Sequence, residues 1–140
     1  MQTQHITKYS TLINATPEKV WDALTNPAMV KQYFFGTELI CDWKVGSEII
    51  FQGEWEGQKY RDKGIVLTYE HAKKLSYSYL SNWSGKEDLP ENYLVVGYEV
   101  EPQGNGTSLT ITQSNYDTEK AAHSEGNWAA LKDGLKKLVE

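Results

Sequence analysis

The sequence predicts an α+β fold in which a curved antiparallel sheet is closed over an apolar cavity by a long C-terminal helix. Three observations carry that prediction. Six strand-like segments follow one another, most of them joined by short turns that leave neighbours antiparallel. Several of them alternate apolar and polar residues, so each offers one apolar face in need of a cover. Finally, Trp128, Leu131, Leu135 and Leu138 follow a 3-4-3 spacing, the stripe of a helix large enough to be that cover.

The elements read in order as β-αα-ββββββ-α. Residues 5–13 alternate loosely and form a first strand. Thr16-Pro17-Glu18 starts a helix: Thr16 caps, Pro17 suits the first helical position and Glu18 complements the dipole. Val20, Trp21 and Leu24 face inward from it. Asn26-Pro27 repeats the device for a short second helix over 28–33. A meander follows, with strands over 37–43, 47–55, 60–69 and 74–80. Ile49, Phe51 and Trp55 share one face of the second of these; Leu75, Tyr77 and Tyr79 share one face of the fourth. After a polar loop, residues 92–101 place Leu94, Val96, Tyr98 and Val100 inward. Gln103-Gly104-Asn105-Gly106 marks a hairpin, and the strand over 107–115 turns Leu109 and Ile111 in. The last helix covers 117–139 and contains Gly126 and Gly134, which weaken it and suggest close packing on the sheet or access to a cavity.

The chain has 140 residues, which fits one domain spanning 1–140. Lys and Arg number 14 against 19 Asp and Glu, a net charge of −5, and no dense basic run interrupts the acidic balance. Nucleic acid and anionic lipid surfaces, which need a positive field, are therefore not expected partners. No apolar stretch approaches membrane-spanning length, and the first ten residues lack a secretion signal. With Cys41 as the lone cysteine, a reducing cytoplasm is the expected compartment.

The run of residues 13–27, Ile-Asn-Ala-Thr-Pro-Glu-Lys-Val-Trp-Asp-Ala-Leu-Thr-Asn-Pro, resembles the opening of START-like (SRPBCC, birch-pollen-allergen-related) domains. More narrowly it is similar to the subgroup related to the activator of the heat-shock protein 90 ATPase. Lys31-Gln32-Tyr33-Phe34, the turn Lys44-Val45-Gly46-Ser47, and Gly126-Asn127-Trp128-Ala129-Ala130-Leu131 resemble further segments of that subgroup, although Asn127 separates the glycine from the tryptophan. The resemblance implies the helix-grip fold and, often, a small apolar ligand. It carries over no catalytic constellation and no cofactor. A chaperone contact is implied only through the subgroup.

The residues themselves point to binding. Phe51, Trp55, Tyr77, Tyr79, Tyr98 and Trp128 project from different elements toward one volume. Such a set lines a cavity for a small lipid-like or aromatic molecule, its phenols fixing orientation, or else fills the core outright. Tyr33, Phe34 and Phe35 form a lip at its entrance. His123, near the start of the covering helix, presents an imidazole to a ligand or acts as a base, against the plainer reading of a solvated helix position. His5 and His71 have no partner at metal-ligand spacing. Cys41 adjoins Asp42 and reads as a buried structural thiol; Glu54 and Glu56 read as a solvated edge. Binding or carriage of a small hydrophobic molecule is thus the first expectation. A cyclase- or hydrolase-type enzyme using His123 and the tyrosines, and a stress-linked interaction protein, are the alternatives. The chain is a monomer or a homodimer, depending on how the sheet edges are covered.

Overall fold

The paired cap-and-proline devices form two helices in tandem. The computed structural model describes residues 5–34, 36–81, 86–115 and 118–140. In it α1 spans Pro17–Thr25 and α2 spans Pro27–Tyr33. Thr16 Oγ1 accepts the Lys19 N–H at 3.3 Å and Asn26 Oδ1 accepts that of Ala28 at 3.0 Å. Asn26 also donates its own N–H to Asp22 O, so one residue ends α1 and begins α2.

The strands are β1 (His5–Ile13), β2 (Glu38–Cys41), β3 (Glu48–Trp55), β4 (Gln58–Glu70), β5 (Lys74–Tyr79), β6 (Leu94–Gln103) and β7 (Gly106–Asn115). A long helix, α3, runs Thr118–Val139. All seven strands lie in one antiparallel sheet in the order β1-β7-β6-β5-β4-β3-β2. The first strand therefore pairs with the last, His5 opposite Asn115 and Ile13 opposite Thr107. The register slips between Val66 and Thr68, a bulge that bends β4 against β5. Nearby, a Cβ on Gly64 would lie 1.6 Å from the Ser78 carbonyl oxygen, so only glycine lets β5 cross so close.

Several boundaries move. The strand expected over 37–43 shortens to β2, because Trp43 adopts a left-handed φ of 55°. The β3–β4 turn tightens to Glu56 and Gly57, both with positive φ (50° and 80°), as a two-residue hairpin demands. Asn92 belongs to a short 3-10 turn before β6. Val139, at 1 % exposure, takes the deep position expected of Leu138, which is only half-buried. Both lie near the stripe of a 3.6-residue period, and the docking of the helix end decides between them.

The cover is shared rather than carried by α3 alone. Helix α1 sends Val20, Trp21, Ala23 and Leu24 into the same core as Ile13, Val100, Leu109, Leu135 and Val139. The two helix glycines also divide. A Cβ on Gly134 would sit 3.1 Å from Tyr33 Cβ, so this glycine lets α3 approach α2 rather than the sheet; Gly126 faces open space. Among the described residues no helix is long and apolar enough to cross a membrane.

Candidate functional site

Inward strand positions and the end of α2 build one aromatic cluster beneath the N-terminal half of α3. The pleat places Phe51 of β3, Tyr77 and Tyr79 of β5 and Tyr98 of β6 on the covered face. Phe34 caps α2 and inserts between sheet and helix. Its ring stacks on Phe51 (centroids 5.9 Å apart, planes at 22°) and meets Trp128 edge-on (6.5 Å, 79°). Trp128 lies edge-on to Tyr98 at 5.8 Å, and Phe51 contacts Tyr77 at 5.6 Å and Tyr79 at 5.9 Å. Tyr33 adjoins Phe34 with ring centroids 6.4 Å apart.

Seven of the nine side chains singled out in the sequence thus come together: Tyr33, Phe34, Phe51, Tyr77, Tyr79, Tyr98 and Trp128. The side chains of Trp55 and His123 lie outside those described, as does residue Phe35 of the expected lip.

Their polar tips are tied individually. The Tyr33 hydroxyl donates to Ala23 O at 2.9 Å and that of Tyr79 to Asp62 Oδ2 at 2.6 Å. The Trp128 indole N–H donates to Gln113 Oε1 at 2.8 Å. The hydroxyls of Tyr77 and Tyr98 lie 3.1 Å from each other. Burial holds the Tyr33 and Tyr77 phenols well above their ordinary range and raises Tyr79, with the Asp62 carboxylate adding to the rise. Burial pushes Tyr98 up to about 12, partly offset by its hydrogen bond with Tyr77. At neutral pH the cluster therefore offers neutral hydroxyl donors and no phenolate base.

Among the described residues, the space at the centre of this cluster is small. The space enclosed by Leu24, Val30, Phe51, Tyr77, Tyr98 and the α2 aromatics measures about 10 Å³, the room of one water. The ring of Phe34 occupies the volume that the strand faces alone leave open. That outcome follows from close packing, which side-chain periodicity does not report.

Sequence reasoning missed Asp62, Thr37 and Tyr60, which sit at the β2–β4 end of the cluster. Asp62 is buried and pairs with Phe51 across the strands. Thr37 Oγ1 and the Tyr60 hydroxyl share a short hydrogen bond. Counting back by twos from Val66 would have placed Asp62 and Tyr60 inward, but the apolar run Ile65-Val66-Leu67 hid which parity faces the core.

The other candidates lie apart. His71 bonds Glu18 at 3.0 Å on the surface. Cys41 is half-buried rather than buried; its sulfur accepts the Trp43 N–H at 3.3 Å, and burial raises its thiol. Glu54 and Glu56 are exposed. Among the described residues no three His, Cys, Asp or Glu side chains are placed to hold a metal ion.

Comparisons with known proteins agree with this architecture. The family model described as "Activator of Hsp90 ATPase homolog 1-like protein" matches residues 14–140. The solution structure of ChR145 from Cytophaga hutchinsonii is 46% identical, with a TM-score of 0.84, covering 98% of this chain and 94% of that one. The Aha1 dimer from Colwellia psychrerythraea is 22% identical with a TM-score of 0.75, covering 96% of both chains. CalU16 from Micromonospora echinospora is 18% identical with a TM-score of 0.75, covering 97% of this chain and 84% of its own. These last two likenesses speak to the fold. No curated protein matches the chain.

Proposed function

Since the chain belongs to the family of activator of Hsp90 ATPase homolog 1-like proteins, with its START-like helix-grip fold, we propose that it binds a small apolar molecule between the sheet and α3, at the aromatic cluster. The observation that carries this reading is the place of Phe34. Its half-buried ring fills the middle of the grip from a helix cap, with φ −109° and ψ 53°, outside regular helix geometry. The next described residue, Gly36, has a φ of 73°. Strand faces are fixed by their ladders, whereas a cap side chain moves without breaking a sheet hydrogen bond. Displacing this one ring leaves an apolar chamber walled by Phe51, Tyr98 and Trp128.

Binding is then coupled to opening. The apparent affinity falls by the fraction of molecules with Phe34 displaced, so a variant that is always open binds more tightly. Apolar cavities of about 150 Å³ already suffice for benzene in other proteins. The test is a titration of ethylbenzene and 1-octanol into native protein and Phe34→Ala, followed by two-dimensional amide NMR and thermal shift. Saturable shifts at Phe51, Tyr98 and Trp128, stronger in Phe34→Ala, are expected. An absence of saturable shifts with either molecule in both proteins would refute the reading.

A further inference from the structure

The deepest polar groups of the cluster are three phenols whose protons can be counted. Tyr77 and Tyr98 stand on adjacent strands at 2 % and 5 % exposure. With Tyr33 they line the same enclosed space of about 10 Å³. Each phenol carries one O–H. That of Tyr33 goes to the Ala23 carbonyl. Within the Tyr77–Tyr98 pair, one hydroxyl donates to the other's oxygen. The proton of the accepting hydroxyl then has no acceptor among the described residues. Buried donors in folded proteins nearly always have partners, and one without a protein partner points to water or a ligand.

We infer that the Tyr77–Tyr98 hydroxyl pair is a recognition site for the carbonyl oxygen of a flat aryl ketone-like ligand. The inference rests on the binding reading above and names the chemistry of what is bound. An uncharged acceptor fits because no charged side chain among the described residues lines this space, so a carboxylate or ammonium would be buried there without a counter-charge from them. A flat ring fits because the Phe34 ring already fills the volume, stacked on Phe51 and edge-on to Trp128. A ligand ring that takes its place inherits both contacts and brings an oxygen toward the phenols. Without ligand, the space has room for one water to take the spare proton.

Acetophenone and α-methylstyrene test this directly, because they share shape and differ in C=O against C=CH₂. In Phe34→Ala, acetophenone should bind roughly fivefold more tightly, the scale of one buried hydrogen bond. Its bound carbonyl stretch should fall below the value in hydrocarbon solvent. Proton counting adds a specific pattern. Tyr77→Phe or Tyr98→Phe alone still leaves one unpaired hydroxyl, so the preference persists in at least one single variant. Adding both substitutions to Phe34→Ala should erase it while α-methylstyrene binding stays within about twofold. Equal binding of the two probes in Phe34→Ala, or a preference that survives in the double phenol variant, would overturn the inference and leave the pocket intact: the spare proton then serves water only. Failure of both probes to bind would instead remove the pocket itself.

Discussion

The two ends of α3 rest on different materials. Toward its C-terminus, Leu135 and Val139 join an aliphatic cluster with Ile13, Val20, Val100 and Leu109. Glu140 there accepts the Asn14 N–H at 2.9 Å, tying the end of α3 to the end of β1. Toward its N-terminus, Trp128 meets Tyr98 and Phe34, rings with hydroxyls or edges that need particular partners. Aliphatic side chains pack without hydrogen-bond demands and interlock to high density. Aromatic rings add a preference for particular angles, offset-stacked or edge-to-face. The first end anchors the fold; the second holds the aromatic cluster proposed above as the binding site.

Breaking the anchored end should have the largest effect. Leu109→Ala, at a site with no solvent exposure, should lower the unfolding free energy by about 2–5 kcal/mol in urea denaturation. The loss should exceed that of Phe34→Ala, whose ring is only half-buried. A smaller loss at Leu109 than at Phe34 would reverse the assignment of the two ends.

Alkali tests the aromatic end through its buried phenols. A tyrosine whose folded pKa is raised contributes stability that is complete below its unfolded value and disappears as pH rises through the folded one. For Tyr98 that window runs from the ordinary 10 to about 12, where about 3 kcal/mol is lost. Stability followed by tryptophan fluorescence should be flat below about pH 9 with respect to these phenols. It should then fall steeply, and less steeply in Tyr98→Phe. An equal fall in that variant would show that the phenol is not the titrating group.

The smallest test compares the helix's two glycines. Gly126→Ala faces open space and should raise stability by about 0.5–1 kcal/mol through helix propensity. Gly134→Ala must push against Tyr33, so it should gain less or lose. Equal gains in thermal denaturation would mean that α3 and α2 do not approach as closely as described.

The order of elements was legible because turns and alternation are local. Pro17, Asn26-Pro27 and Gln103-Gly104-Asn105-Gly106 act through backbone dihedrals, and strand parity through the two-residue pleat. Convergence of Tyr77, Tyr98 and Trp128 followed from that parity and one helical stripe. Three things were not legible. Trp43 and Ala72 adopt positive φ (55° and 58°) without being glycine, so their residue type does not announce it. Asp62 is buried in a strand whose bulge sits at Val66 and Thr68. The room left at the centre of the cluster depends on where the Phe34 ring lies, a question of volume that no periodic pattern encodes.

The pairing of β1 with β7 also sets an order of events for the growing chain. Asn115 hydrogen-bonds Thr7 across 108 positions of sequence. At about 5–20 residues per second, the first strand leaves the ribosome some 5–20 seconds before its partner exists. Contacts this distant must close a long loop before they return any energy, which slows folding. Until β7 and α3 arrive, β1 has no neighbour and the inner face of β5 and β6 lacks the cover of the long helix. A nascent chain halted before residue 106 is therefore an unfinished sheet with its apolar side open, the kind of surface that chaperones hold.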